Sequence, residues 1–177
     1  ELRKVNPEIS VAHSFQLEIQ DQVNKTIAQN PSLPISCKKG CNACCSLHVD
    51  ITGDEAKLLI AHSNELNYSI DWPRLEKQKG RDIEGWRSLS PEDKKCVFLN
   101  GGGSCSVYEY RPMSCRKAMV VSNPDQCDIN KDYNAKVSWA VSLGAEVMTS
   151  AVYNATENGT MADMMLKNKD FKYVEEN

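Results

Sequence analysis

Cys37-Lys38-Lys39-Gly40-Cys41-Asn42-Ala43-Cys44-Cys45 places four thiols in nine residues, with three, two and no residues between successive cysteines. Thiols two or three residues apart on a turn can converge on one thiophilic metal, and Gly40 lets the backbone bend and aim its amides at the sulfurs. Two adjacent cysteines diverge, so Cys44 and Cys45 serve two ions, or two parts of a cluster, more readily than one mononuclear site. Thiolates are soft donors that select zinc, copper(I) or iron over calcium and magnesium. The stretch predicts a fold organised around a polynuclear thiolate centre.

The remaining cysteines, Cys96, Cys105, Cys115 and Cys127, are spread widely and complete a site only if the chain folds back over the first group. Four plus four suggests a closed, chain-crossing centre. Eight cysteines in 177 residues fall short of the roughly 8–10% that marks a small disulfide scaffold, and this length is enough to bury a core without staples. A centre rich in thiolates is negative and needs nearby cations or amide donors. Lys38, Lys39, Arg111, Arg116 and Lys117 each stand within four residues of a cysteine.

The order Cys37-x3-Cys41-x2-Cys44-Cys45, then Cys96-Val97-Phe98-Leu99, a glycine loop, and Cys105-Ser106-Val107-Tyr108-Glu109-Tyr110-Arg111-Pro112-Met113-Ser114-Cys115-Arg116 resembles the YkgJ-type cysteine-cluster, or CxxCxxCC, family. The resemblance covers residues 37–127. It implies zinc or iron chelation with Cys37, Cys41, Cys44, Cys45, Cys96, Cys105, Cys115 and Cys127 as the metal ligands. It extends distantly to flagellin lysine N-methylases that carry an iron–sulfur cluster. Within the match, Tyr108, Arg111 and Arg116 are the candidate cofactor-binding residues. Arg111 precedes Pro112, which biases it to an extended backbone and leaves its guanidinium to donate to a sulfur, a carboxylate or an anionic substrate. Pairing with a core Asp or a carbonyl is the equally open alternative.

Outside the cysteines, Ala12, Phe15, Ile19, Val23 and Ile27 recur at steps of three and four and predict an amphipathic helix over 7–30, stopped by Pro31 and Pro34. Thr52-Gly53-Asp54-Glu55 reads as a capping box opening a helix through Ala56, Leu59 and Ile60. Residues 64–95 form a polar insert broken by Pro73, Gly80, Gly85 and Pro91, with Trp72, Leu75, Ile83, Trp86 and Leu89 as expected anchors. Cys96 to Leu99 and Cys105 to Tyr108 read as two short strands joined by Asn100-Gly101-Gly102-Gly103. A second amphipathic helix is expected over 136–153, and Met161 to Asn177 as a short helix fraying into a tail. The expected fold is therefore mainly α with a small β-hairpin. It is a compact α-rich single domain, 1–177, around a cysteine-bound metal centre at 37–127.

A net charge of -3 and a pI near 5.7 give no global attraction to phosphate backbones, so no nucleic acid partner is expected. No stretch approaches the roughly 18 apolar residues of a membrane span. No G-x-S-x-G, Walker A or G-x-G-x-x-G pattern occurs, and the Asn100-to-Ser104 loop lacks a phosphate-binding Lys. His13 and His62 fall on helix patterns as satisfied or solvent-facing residues, and His48, three positions after Cys45, is a weaker candidate for a spare ligand that is not counted among the metal ligands.

The primary reading is a metal-binding protein holding zinc or iron. A [4Fe–4S] cluster is among its forms, because Cys37, Cys41 and Cys44 can hold three corners while Cys45 or a distant cysteine supplies the fourth. One alternative is an iron–sulfur-dependent oxidoreductase or N-methyltransferase with Arg111 or Tyr108 beside the iron. Another is a secreted protein with four disulfides, for which the even cysteine count and the sequons at Asn24, Asn67, Asn154 and Asn158 speak. The chain begins at Glu1, so a trimmed or processed start is expected and a signal peptide is compatible with it. Thiolates persist best in a reducing compartment, which favours the cytoplasm. The partner, a protein or small molecule, is left open and is expected to meet the insert.

Overall fold

A computed structural model describes residues 7–172. Its first helix, α1 (Pro7–Gln29), buries a stripe of Ile9, Ala12, Gln16, Ile19 and Val23. Phe15, expected on that face, is 37% exposed. One residue is about 100° of helix rotation, so the stripe can follow position 15 or position 16 but not both. The polar Gln16 wins because its side-chain amide donates to Glu55 Oε1 at 3.1 Å.

Glu55 belongs to the capping box, which forms as the sequence predicts. Strand β1 (Asp50–Thr52) runs into α2 (Gly53–Glu65), where Thr52 Oγ1 accepts from the Glu55 amide. In return Glu55 Oε2 accepts from the Thr52 amide at 3.0 Å. The same buried carboxylate reaches further, since its Oε1 also accepts from the Met113 amide at 2.7 Å. Burial pushes the Glu55 carboxyl up, and its backbone and side-chain donors oppose that shift. One residue thus ties α1, the start of α2 and the turn that carries Cys115.

The insert folds into three short helices, α3 (Trp72–Gln78), α4 (Ile83–Ser88) and α5 (Pro91–Lys94), each opened by a side-chain cap from Asp71, Asp82 and Ser90 respectively. Leu75 and Trp86 anchor them in the interior. Ile83 does not, being 64% exposed at the first position of α4.

The expected 96–108 hairpin is reduced to one antiparallel bridge, Leu99 to Cys105. Longer strands do not form because the Cys96 amide is given to the Cys45 carbonyl at 2.7 Å, and a 3-10 turn begins at Tyr108. The Asn100 side chain closes the loop by accepting from the Gly102 and Ser104 amides, with Gly103 at a φ of +74°.

Beyond the 3-10 turn Tyr108–Tyr110 come α6 (Met113–Arg116), strand β2 (Met119–Val120) and a second 3-10 turn, Pro124–Cys127. Strand β3 (Trp139–Ala140) pairs antiparallel with β2, Met119 opposite Ala140 and Val120 opposite Trp139. The helix expected over 136–153 therefore starts later, as α7 (Leu143–Ala155). Strand β4 (Asn158–Thr160) pairs with β1 and leads into α8 (Met161–Lys167). Residues 173–177 of the expected C-terminal tail lie outside the described residues. The fold is mainly α with a small antiparallel β component, and no described helix is long and apolar enough to cross a membrane.

The buried apolar residues form three clusters, against one of which Cys96 and Cys105 pack. Ile51, Leu59, Leu75, Phe98 and Met165 lie in one, Ile19, Val23, Met113, Met119 and Ala145 in another, and Ile9, Ala12, Leu58 and Ala61 in the third.

Replacing Glu55 by Ala leaves the buried Thr52 and Met113 amides without an acceptor, at about 1–3 kcal/mol for each orphaned group. Glu55→Ala is expected to lower stability in urea by roughly 2–4 kcal/mol. Glu55→Gln, which keeps one acceptor oxygen, should lose clearly less. Equal losses for the two variants would refute this assignment.

Candidate metal centre

The first cysteine group lies on turns closed by Cys41 N to Lys38 O at 3.0 Å, Cys45 N to Asn42 O at 2.9 Å and Leu47 N to Cys44 O at 3.0 Å. Gly40 supplies the bend between the first two cysteines with a φ of +90°, a conformation an L side chain rarely adopts. Strand β2 grips the start of this segment: Ser36 N donates to Val120 O at 2.8 Å, and the Val120 amide donates to Cys37 Sγ at 3.2 Å. The Asn42 side chain donates to Gly103 O at 3.0 Å, pinning the glycine loop over the turn. Gly103 is needed there, because a Cβ would come within 2.7 Å of the Asn42 side chain.

Ser46, buried beside Cys45, joins two further parts of the chain. Its carbonyl accepts from Trp86 Nε1 at 3.0 Å, and its hydroxyl accepts from Asn130 Nδ2 at 3.1 Å. The insert and the segment after Cys127 thus both hang on the residue next to the vicinal pair. No pattern in the sequence singles out Ser46, Asn42, Val120 or Trp139, since their contributions are single contacts between distant segments.

A cavity of about 20 Å³ is lined by Cys37, Cys41, Cys44 and Cys127, with Val120 and Trp139 among its other walls. About 10–15 Å³ measured in this way holds one water-sized body. The space therefore matches a single ion. All eight cysteines are free thiols, so the four disulfides of the secreted alternative are not formed. The donors are soft and numerous, and in type they fit a thiophilic metal. Among the described residues, no three His, Cys, Asp or Glu side chains close on one point as a finished ligand set. Four of the thiols line one space without converging on a point within it.

Burial disfavours the thiolate, and most of the cysteines show it. Cys37 and Cys105 are raised above the usual thiol value, Cys115 well above it, Cys127 to about 11 and Cys96 to about 12, in each case chiefly by loss of solvation. Cys44 moves the other way, to about 7, because the Cys45 thiol hydrogen-bonds to its sulfur, its own backbone amide helps, and Arg111 adds positive charge. Cys45 is raised, since losing its proton would break that bond and set a second charge beside the first. A bound cation reverses these preferences, as a coordinated thiol is deprotonated outright.

Tyr108 and Arg111 lie on one turn, whose backbone Arg116 holds. The Arg111 guanidinium lies 3.9 Å from the centre of the Tyr108 ring and donates to Gln20 Oε1 at 2.7 Å. Lys39 lies over the same ring and pairs with Glu109 at 2.8 Å. Arg116 is only 4% exposed and donates Nε to the Arg111 carbonyl at 2.9 Å and Nη2 to the Glu109 carbonyl. Burial lowers Arg116 to about 10. Of the other cations expected near the thiols, Lys117 pairs with Glu146 at 2.7 Å and Lys38 is exposed. His48 is exposed and stacks on Trp86, while His13 and His62 pack on Tyr110.

A protein-family model, CxxCxxCC, whose description reads "Putative zinc- or iron-chelating domain", matches residues 36–139. That span takes in all eight cysteines and the insert. Neither a curated protein nor a solved structure matches the chain.

Arg116 braces the Glu109-to-Arg111 turn through carbonyl hydrogen bonds that lysine, lacking the planar fork, cannot reproduce. Hydrogen bonds from a charged group are worth about 1.5–3 kcal/mol. Arg116→Lys is accordingly expected to lower stability in urea by roughly 2–3 kcal/mol. A loss under about 0.5 kcal/mol, the range of an ordinary surface substitution, would contradict this bracing.

Proposed function

The chain belongs to the CxxCxxCC zinc- or iron-chelating family, and from that premise we propose that its eight cysteines form a polynuclear thiolate centre holding zinc or iron. The observation that carries this reading is the cavity walled by Cys37, Cys41, Cys44 and Cys127, which gathers thiols from both cysteine groups around a space the size of one ion. When bound, the metal supplies positive charge that converts buried thiols into stable thiolates. The chain's own part is to aim and neutralise them. The Val120 amide donates to Cys37, the Cys44 amide and Arg111 favour the Cys44 thiolate, and apolar walls exclude water.

The role is binding and scaffolding: captured ions join the 37–45 turns, the glycine loop, α6 and the 124–127 turn. Arg111 and Tyr108 support it by holding positive charge near the sulfurs. An iron–sulfur cluster is the second form of the same reading, favoured by the Cys37-x3-Cys41-x2-Cys44 spacing and by the amide-to-sulfur bond at Cys37. Free thiols carrying metal fit a reducing compartment.

Protein purified without oxygen is expected to retain zinc, or iron with the broad visible absorption of a thiolate-bound cluster. A strong chelator should then lower its melting temperature and unfold the cysteine segments. A protein that carries neither metal and melts identically with and without chelator would overturn the proposal.

A further inference from the structure

We propose that the groove between the insert and the loop after Cys127 binds a small organic oxyanion, a carboxylate or phosphate carried on a compact apolar body. The groove is open, about 330 Å³ in volume, and lined by Arg87 and Lys94 from the insert and by Ile129, Tyr133 and Asn134 from the loop. Small-molecule sites span about 300–1,000 Å³, so the space suits a ligand at the lower end of that range. Two cations and no acid line it.

Lys94 is the residue that points to a ligand. It is 8% exposed on α5, a burial that lysine rarely shows without a partner. Among the described residues no carboxylate pairs with its ammonium, because the acids beside it on α5 are already engaged. Glu92 pairs with Lys95 at 2.5 Å and with Arg74 at 3.4 Å, and Asp93 pairs with Lys77 at 2.7 Å. The buried Gln78 fixes the backbone on both sides of Lys94, donating to Asp93 O at 2.6 Å and to Lys95 O at 3.1 Å. The lysine stem is thus held in place while its charge is left for the groove.

Arg87 bridges the two walls. Its guanidinium stacks 3.8 Å from the centre of the Tyr133 ring, and Nη1 donates to Glu84 Oε1 at 2.8 Å. Stacking fixes the plane of the guanidinium and leaves further edge N–H groups for an acceptor lying in that plane, which is how arginine grips carboxylate and phosphate. On the opposite wall, Asp128 and Asp132 turn their carboxylates onto the Asn130 and Asn134 amides at 3.0 and 2.9 Å and so shape the loop. Ile129 and the Tyr133 ring offer apolar surface to the body of the ligand, and the exposed Asn134 offers an amide.

Both walls hang on Ser46, whose carbonyl accepts from Trp86 and whose hydroxyl accepts from Asn130. The groove is therefore formed before any ligand arrives. It needs no metal, and its test is separate from that of the thiol centre.

The probes are benzoate, phenyl phosphate and the neutral benzyl alcohol, titrated into the isotope-labelled full chain, purified without oxygen, while backbone amide shifts are followed by NMR. At least one anion is expected to give saturable shifts centred on Arg87, Lys94, Ile129, Tyr133 and Asn134. A response to benzoate alone identifies a carboxylate ligand, and a response to phenyl phosphate alone identifies a phosphate ester. Lys94→Met, which keeps an apolar stem, should weaken binding by about tenfold or more, the loss expected of one charge-assisted hydrogen bond. Arg87→Lys, at a side chain 41% exposed and so tolerant of change, should do the same and serves if Lys94→Met does not fold. Absence of saturable binding by either anion, equal shifts with benzyl alcohol, shifts centred instead on the Arg111 turn, or unchanged affinity in the folded variants would overturn the proposal.

Discussion

Sulfur largely withdrawn from water without being bonded to sulfur is the constraint on which the rest of this structure depends. Thiols from segments up to ninety residues apart in sequence are brought into one region, and every one of them is free. Solvent loss raises most of them and so favours the neutral thiol, with Cys44, lowered by the hydrogen bond from Cys45, as the exception. Neutral thiols offer little to hold such distant loops together, because S–H groups are weak donors and acceptors. Charge from a captured cation changes that balance and makes the same loops mutually attractive.

The surrounding fold supplies what sulfur alone does not. Glu55 fixes the start of α2, the Gln16 amide of α1 and the first residue of α6 through one carboxylate. Arg116, at the other end of α6, holds the Glu109 and Arg111 carbonyls. Cys115 sits between these two braces. Ser46 does the corresponding work for Cys45, linking it to Trp86 of the insert and to Asn130 beyond Cys127. The polar insert is thereby tied to the residue beside the vicinal pair and is not only a spacer between the two cysteine groups.

Much of this was legible in the sequence where the cause is local. The capping box at Thr52 and Glu55 needs only residues three apart, and α1 needs only its periodic apolar stripe. The cysteine spacing announced soft-metal chemistry and the family, now matched over residues 36–139. What escaped depends on long-range pairing. Trp139 and Ala140 were read into a helix because their spacing suits one, yet they pair with β2 and leave α7 to begin at Leu143. Gln16 displaced Phe15 from the interior because Glu55, thirty-nine residues away, offers it an acceptor. The hairpin lost its strands because the Cys96 amide serves Cys45. Arg111 and Arg116 were legible as residues near the sulfurs but not in their partners, which are a ring, a side-chain amide and two carbonyls.

X-ray absorption at the metal edge of the purified protein tests the central claim most directly. The account predicts a first shell of sulfur alone, at about 2.3 Å for zinc. A shell dominated by nitrogen or oxygen at about 2.0–2.2 Å would show that the ion sits elsewhere and that the cysteines are not its ligands.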